Sequence, residues 1–547
     1  MRARMRTILR DHWPRLVAFA ATSAYAVAIL GFGLDFRPLH NDEGVTLQVA
    51  SEPSLADVLH TAIDVRHGPP LHYLLVHLAL DWQPDVLGLR LPSALLGIVA
   101  VGVSYGCGRE ILGRAGGAIV SVVVAISPIV VHLGQFARGY TAMVAFSFLS
   151  LWMMLVLLRT RRARWIAPYI VSALLLVSSH PFGLFALFSE LVLIVLLCGW
   201  DVRRTWRSDR RTLAVIGVTV LLAVAAALTL HHVYAPLQGK YAVGSGGPVV
   251  HLGSSAFWND LGGNAAGTSS LPVLLVLAAT VVAGVVALAV RRQRAALIAA
   301  VWLLLPLAML SVLTAAASDA FAPERHLSFL APGFAVAVAA TVLEIARHGR
   351  YGAVIAGIGL VALLAPAAVS DQRDLTSFSA DLRNASVYLA YRFGSHDVLL
   401  TSGGLATSAE DPRLYGAYAV LVAPSGSPLS HWSQVGNATG CRLATALTQD
   451  GPPHSFFMLL RPQNPSRTAT AVRALGARAR VFGGYEVVQY TPRFQGVGPT
   501  LWRAQQLWRA TSESSPDITQ FAYLYGVYRA AFVKVATGGC PGLTLSS

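Results

Sequence analysis

Apolar stretches of roughly 18–20 residues recur along this chain up to residue 370, with clusters of arginine between them. No other feature constrains the fold as much. A helix of that length spans ~30 Å of hydrocarbon, so the pattern predicts a polytopic all-α membrane protein. The first stretch, "LVAFAATSAYAVAILGFGL", ends without a small-residue cleavage site and reads as a retained span. Composition agrees: 54% of residues are hydrophobic and only 13% charged, whereas soluble domains carry about a quarter charged residues.

The net charge of +15 raises the question of nucleic acid. The placement of the cations answers it. Lys240 and Lys534 are the only lysines, so the charge is arginine. Arginines precede the first span at positions 2, 4, 6, 10 and 15, then cluster at Arg109 and Arg114, in "RTRRAR", "RRTWRSDRR", "RRQR" and "RHGR". Basic residues resist translocation, so each cluster marks a cytoplasmic loop. Spans at about 16–34, 86–108, 115–133, 141–158, 166–179, 182–200, 212–230, 271–290, 295–316, 327–346 and 352–370 satisfy every cluster. About eleven transmembrane helices follow, with a cytoplasmic N terminus and an extracytoplasmic C terminus at the plasma membrane. No nucleic-acid partner is expected.

The outer segments carry the remaining chemistry. The first outer loop, 35–85, contains "HNDEGVT" and "RHGPPLHYLLVHLALDW". Leu71 to Trp82 is apolar but too short to cross, and is expected to form an interfacial helix. A second outer loop, about 231–270, holds Lys240, Tyr241, Trp258 and Asp260, and a short third holds "SDAFAPERH". Residues 371–547 are expected to form an extracytoplasmic α/β domain behind a transmembrane module at 1–370. In it "HDVLLTSG" and "ARVFGGYEVVQYT" read as strands and "TATAVRALGAR" as a helix.

Cys107 and Cys198 fall in spans and read as buried apolar side chains. Cys441 and Cys540 lie in the outer segment, where an oxidising compartment allows them to pair. No zinc-spaced Cys/His cluster or H-E-x-x-H motif occurs, so no tightly bound metal or other cofactor is expected. Dependence on a loosely held divalent ion is left open.

Asp42 and Glu43 are adjacent in a chain with 27 acids among 547 residues. They follow the first span, and up to residue 370 the arginines expected on the same outer side are few: Arg37, Arg66, Arg90, Arg138 and Arg325. An enzyme acting on a lipid-linked substrate at that level needs a general base near the headgroup plane. It also needs cations for a phosphate leaving group, a task suited to the planar donor fork of arginine.

The ordered set "NDEGVT", "HGPPLHYLLVHL", "LRLPSALLGIVAV", "SPIVVHLGQFARGY" and "APERHLSFLAP" resembles the GT-C superfamily of membrane glycosyltransferases. It is most similar to the family 39 type branch of protein mannosyltransferases and aminoarabinose transferases. The resemblance covers about residues 16–370 and leaves the C-terminal segment out. It implies that Asp42 deprotonates the acceptor and that Glu43 supports it. It places Arg138 and Tyr140 near the donor head and Arg325 at the lipid phosphate. His67 and His72 flank the Pro-Pro turn, and Lys240 is a further outer candidate for the substrate. Some relatives carry another acid near the end of the third span, where this chain has "GQFARGY".

The implied reaction moves a sugar from a polyprenyl phosphate to a cell-envelope glycan, lipoglycan or protein, with inversion. Mannose is favoured because the Ala- and Arg-rich, Lys-poor composition points to a high-GC bacterium. Polyprenyl-phosphate arabinofuranose is the competing donor. A transporter or lipid flippase is the reading from another class, for which Glu190 in the sixth span is the best evidence.

Overall fold

Among the described residues, the hydrocarbon-length stretches are helical in the computed structural model. It describes residues 2–31, 34, 41–65, 68–205, 217, 221, 270–316, 325–394, 398–400, 455–460, 470, 473, 477–483 and 485–490. The helices are α1 (Arg2–Gly31), α2 (Asn41–Ala50), α3 (Leu55–His60), α4 (Leu71–Trp82), α5 (Val86–Leu112), α6 (Arg114–Ala125) and α7 (Pro128–Gly134). They continue with α8 (Tyr140–Thr160), α9 (Ile166–Ser179), α10 (Gly183–Thr205), α11 (Leu271–Arg291), α12 (Gln293–Ala316), α13 (Ala331–Ala346) and α14 (Arg350–Arg392).

Among the described residues, five helices are long and apolar enough to cross a membrane: His12–Gly31, Val86–Leu112, Tyr140–Thr160, Leu271–Arg291 and Leu327–Ala346. Counting the bent pair α6 and α7 as one span gives six. Ala163–Ser179, Gly183–Cys198, Gln293–Met309 and Tyr351–Ala365 are shorter apolar helices. The chain is a multi-pass membrane protein.

The stretch expected to cross straight at 115–133 instead bends by 59° between α6 and α7. Pro128 is the cause. It lacks an N–H, cannot continue the helix of α6, and starts α7 at its first position with the preceding Ser127 extended at ψ 120°. Only residues 217 and 221 of the span expected at 212–230 are described. The helix that carries the last expected span continues beyond it: its apolar part is Tyr351–Ala365, but α14 runs 43 residues to Arg392.

Two units make up the fold. The first comprises Met1–Leu34, Thr46–Gln83 and Leu87–Gln372; the second comprises Asp35–Val45, Pro84–Val86 and Arg373–Ser547. In the first unit α8 is the central helix, with 78% of its apolar window buried, whereas α11 has 17%. Tyr140, Met143, Phe148, Leu151 and Met154 of α8 lie in the core. The outer side of α11 exposes Leu275, Val282 and Val290, as a lipid-facing helix should. Its inner side is closed by close packing: a Cβ on Gly284 would stand 1.9 Å from the carbonyl oxygen of Ala337 on α13. Where the expected cytoplasmic loops join the helices, Glu344 accepts from both Arg291 and Arg347 at 2.7 Å, and Glu110 from Arg159 at 2.8 Å. Such exposed pairs contribute little stability individually.

The second unit contains a sheet of β1 (Val398–Leu400), β2 (Phe456–Leu460), β3 (Arg478–Phe482) and β4 (Tyr485–Tyr490), ordered β1-β2-β4-β3. β1 and β2 are parallel; β2–β4 and β4–β3 are antiparallel. The end of α14 packs on it through Tyr388 against Phe482 and Phe393 against Phe457, at ring separations of 5.3 and 5.7 Å. β1, β3 and β4 fall in segments expected as strands. β2, "FFMLL", was not expected, because an unbroken apolar run has no period to distinguish strand from helix. Thr470 and Arg473 are helical within the segment expected as a helix.

Candidate functional site

Helix α4 organises the segment between α1 and α5. Pro70 caps it, and His72, Tyr73, Val76 and His77 are buried on one face, at the spacing of adjacent turns. Its bounds are those expected from the sequence. The opposite face exposes Leu78 and Trp82. His77 Nδ1 lies 2.9 Å from the Ala50 carbonyl oxygen, to which it donates when that nitrogen carries the proton, fixing the C-terminal end of α2. The Tyr73 ring joins Val49, Val58 and Ala62 in a small apolar cluster. α3 is held in place by a local cap, with the Asp57 N–H donating to Ser54 Oγ at 3.2 Å.

The acid pair stands in the first turn of the ten-residue helix α2. Acids there are stabilised by the helix dipole by ~0.3–1 kcal/mol. Glu43 is buried. The backbone of Asp42 is helical, and its side chain lies outside the described residues.

Arg138 sits in the turn between α7 and α8, and three of the ordered motifs meet at it. Its Nη1 donates to the hydroxyl of Tyr73, from "HGPPLHY", at 3.2 Å. Its carbonyl accepts from the hydroxyl of Ser93, from "LRLPS", at 3.3 Å. Its own N–H donates to the Phe136 carbonyl at 2.7 Å. A Cβ on the next residue, Gly139, would lie 3.6 Å from His72 Cβ. Arg138, Tyr140 and His72 are therefore brought into one neighbourhood. Arg138 is half-buried.

Tyr140 opens α8 fully buried, its ring between Phe136 at 6.2 Å and His180 at 4.9 Å. His180 ends α9 in an extended conformation, and its Nδ1 accepts from the Phe182 N–H at 3.3 Å. A neutral His180 so held carries its proton on Nε2. The rings continue through Phe182 and Phe329. Phe329 belongs to the 3₁₀ turn Arg325–Leu330, which packs on α8 and is pinned by Trp302 Nε1 donating to the Phe329 carbonyl at 2.8 Å. The Arg325 backbone is in that turn, and its side chain lies outside the described residues. His67, Lys240, Cys441 and Cys540 also lie outside them. Among the described residues no three His, Cys, Asp or Glu side chains gather as a metal site.

Tyr73, Ser93 and His180 were missed by the motif reading. Tyr73 and Ser93 lay inside quoted motifs, but only the fold reveals that both meet Arg138. Arg90 of the same "LRLPS" motif is buried and donates to the Leu34 carbonyl at 2.7 Å, holding the chain after α1. Glu190 is buried and accepts from Ser150 Oγ at 2.9 Å, a bond between α10 and α8.

Residues 67–230, which include α4, "LRLPS" and the Arg138 turn, match the model of the dolichyl-phosphate-mannose-protein mannosyltransferase family. No curated protein matches the chain. Among solved structures, apo ArnT from Cupriavidus metallidurans is 15% identical, with 89% of this chain and 98% of that one covered and a TM-score of 0.51. The chain has the GT-C fold. The resemblance read from the ordered motifs thus holds at the level of the GT-C superfamily. ArnT bound to undecaprenyl phosphate is 14% identical over 86% of this chain and 97% of that one, with a TM-score of 0.49. The archaeal oligosaccharyltransferase AglB from Archaeoglobus fulgidus, in complex with an inhibitory peptide and a dolichol-phosphate, is 12% identical over 85% of this chain and 71% of that one, with a TM-score of 0.46.

Proposed function

We propose that the chain is a glycosyltransferase that moves a sugar from a polyprenyl phosphate to an acceptor at the outer face of the plasma membrane. The observation that carries this reading is the convergence of "HGPPLHY", "LRLPS" and "QFARGY" on Arg138, within the range matched by the mannosyltransferase family model. Mannose is the favoured sugar, supported by that same match. The acceptor class is a cell-envelope glycan, lipoglycan or protein.

In this reading Asp42 removes the proton of the acceptor hydroxyl, with Glu43 in support. The acceptor oxygen forms a bond to the anomeric carbon while the bond from that carbon to the phosphate oxygen breaks. The bonding pair leaves with the polyprenyl phosphate, and the anomeric centre inverts. Arg138 and Arg325 stabilise charge growing on that leaving group. Tyr140 and His72 shape the donor side, and His67 and Lys240 are further substrate contacts. The module spans the membrane eleven times with every arginine cluster inside. α4, with Leu78 and Trp82 outward, lies in the headgroup plane. Residues 371–547 form an outer domain stapled by Cys441 and Cys540.

The test incubates purified protein with labelled polyprenyl-phosphate mannose, polyprenyl-phosphate arabinofuranose and envelope glycans. Transfer from the mannose donor with release of polyprenyl phosphate is expected. Transfer from arabinofuranose alone would replace the sugar assignment, and no transfer from any polyprenyl-phosphate sugar would remove the function.

A further inference from the structure

We infer that Tyr73 is a positioning residue for the donor phosphate, holding the Arg138 guanidinium in place through its hydroxyl. The inference rests on the reading of Arg138 as a phosphate ligand and deepens it. A long arginine side chain carries ~2 kcal/mol of rotamer entropy, which weakens binding unless the side chain is ordered beforehand. Tyr73 supplies that order. Its hydroxyl oxygen accepts from Arg138 Nη1 at 3.2 Å. A phenol is a neutral acceptor, so it takes one of the five guanidinium donors without itself cancelling the positive charge. A carboxylate in its place would compete with the phosphate.

The anchor is itself rigid. Tyr73 is 8% exposed, and its ring packs with Val49 from α2, Val58 from α3 and Ala62. Four residues on, His77 lies within hydrogen-bond distance of the last residue of α2. One face of α4 therefore holds both the end of the helix that carries the acids and the guanidinium of Arg138. Ser93 and the Phe136 carbonyl fix the backbone of Arg138 separately. Removing the Tyr73 hydroxyl should thus take away one anchor of the side chain and leave the turn in place.

The experiment measures binding of radiolabelled polyprenyl phosphate to the full-length protein in detergent, and steady-state transfer from polyprenyl-phosphate mannose. Tyr73→Phe keeps the ring in its cluster and should weaken phosphate binding ~2–10-fold, the range of one hydrogen bond. The donor KM should rise by a similar factor with kcat less affected. Arg138→Ala should weaken binding ~10–100-fold, and adding Tyr73→Phe to it should change nothing further. Wild-type binding in Tyr73→Phe, with Arg138→Ala still impaired, would overturn the inference and leave the reading of Arg138 standing. Additive losses in the double variant would overturn it too, since Tyr73 would then act independently of Arg138. Wild-type binding in Arg138→Ala would overturn both.

Discussion

A Cβ on Gly139 would stand 2.2 Å from the carbonyl oxygen of Ser179. The turn that carries Arg138 and starts α8 is thereby pressed onto the end of α9. Gly139 has φ −66°, which suits any residue, so the requirement is for space alone. Gly139→Ala must push the turn away from α9, at a cost of ~1–3 kcal/mol as for other overpacked sites. Thermal unfolding in detergent should fall, and donor affinity should fall with it because Arg138 is the preceding residue. An unchanged melting temperature would show that the two segments part easily.

Gly284 makes a comparable contact between α11 and α13, 1.9 Å from the Ala337 carbonyl once a Cβ is added. Gly284→Val should separate α11 from α13 and destabilise the protein, while the Arg138 turn, between α7 and α8, stays in place and phosphate binding in the molecules that remain folded falls little. Melting and phosphate binding measured on the same preparation separate the two effects.

Glu190 tests the rival reading as a transporter. Its bond to Ser150 joins α10 to α8. Glu190→Gln preserves an acceptor for Ser150 and should leave both stability and transfer close to wild type. Ser150→Ala should cost ~1–3 kcal/mol, the penalty for stranding a buried polar group. Loss of transfer in Glu190→Gln without loss of stability would give this acid a functional role.

Glu486 makes the second unit sensitive to pH. It lies buried on β4, paired with Val481 and Leu460. Burial pushes its carboxyl up from 4.5 to about 7, against a smaller opposing pull from Arg473. The folded form therefore holds a proton that the unfolded form releases between pH 4.5 and 7. Its contribution to stability is complete below 4.5 and is lost as pH rises through 7, on the order of 3 kcal/mol. Glu486→Gln should flatten that part of the profile. Hydrogen exchange on the β4 peptide at several pH values checks this, and an unchanged profile in the variant would contradict it.

The sequence was most legible where one physical requirement acts alone. Hydrocarbon thickness located apolar helices among the described residues, and the bounds of α4 came out as expected. It was less legible where two requirements compete. Pro128 divides a stretch whose hydropathy is continuous, and "FFMLL" is apolar enough for either element. The candidate site was readable as a list of motifs but not as a geometry. Nothing local to "LHYLL" says that the hydroxyl of Tyr73 reaches Arg138, 65 positions away. Nor does "HNDEGVT" alone disclose that its acids begin a helix whose far end is tied to His77.

The central claim is that a sugar leaves a polyprenyl phosphate here with Asp42 as the base. Single-turnover transfer from radiolabelled polyprenyl-phosphate mannose, with donor binding measured in the same samples, tests it most directly. Wild-type protein should transfer the sugar and release polyprenyl phosphate. Asp42→Asn should bind the donor equally well and transfer it ~10²–10⁴-fold more slowly, the usual contribution of a general base. Glu43→Gln should lose less. Wild-type turnover in a folded, donor-binding Asp42→Asn protein would contradict the account.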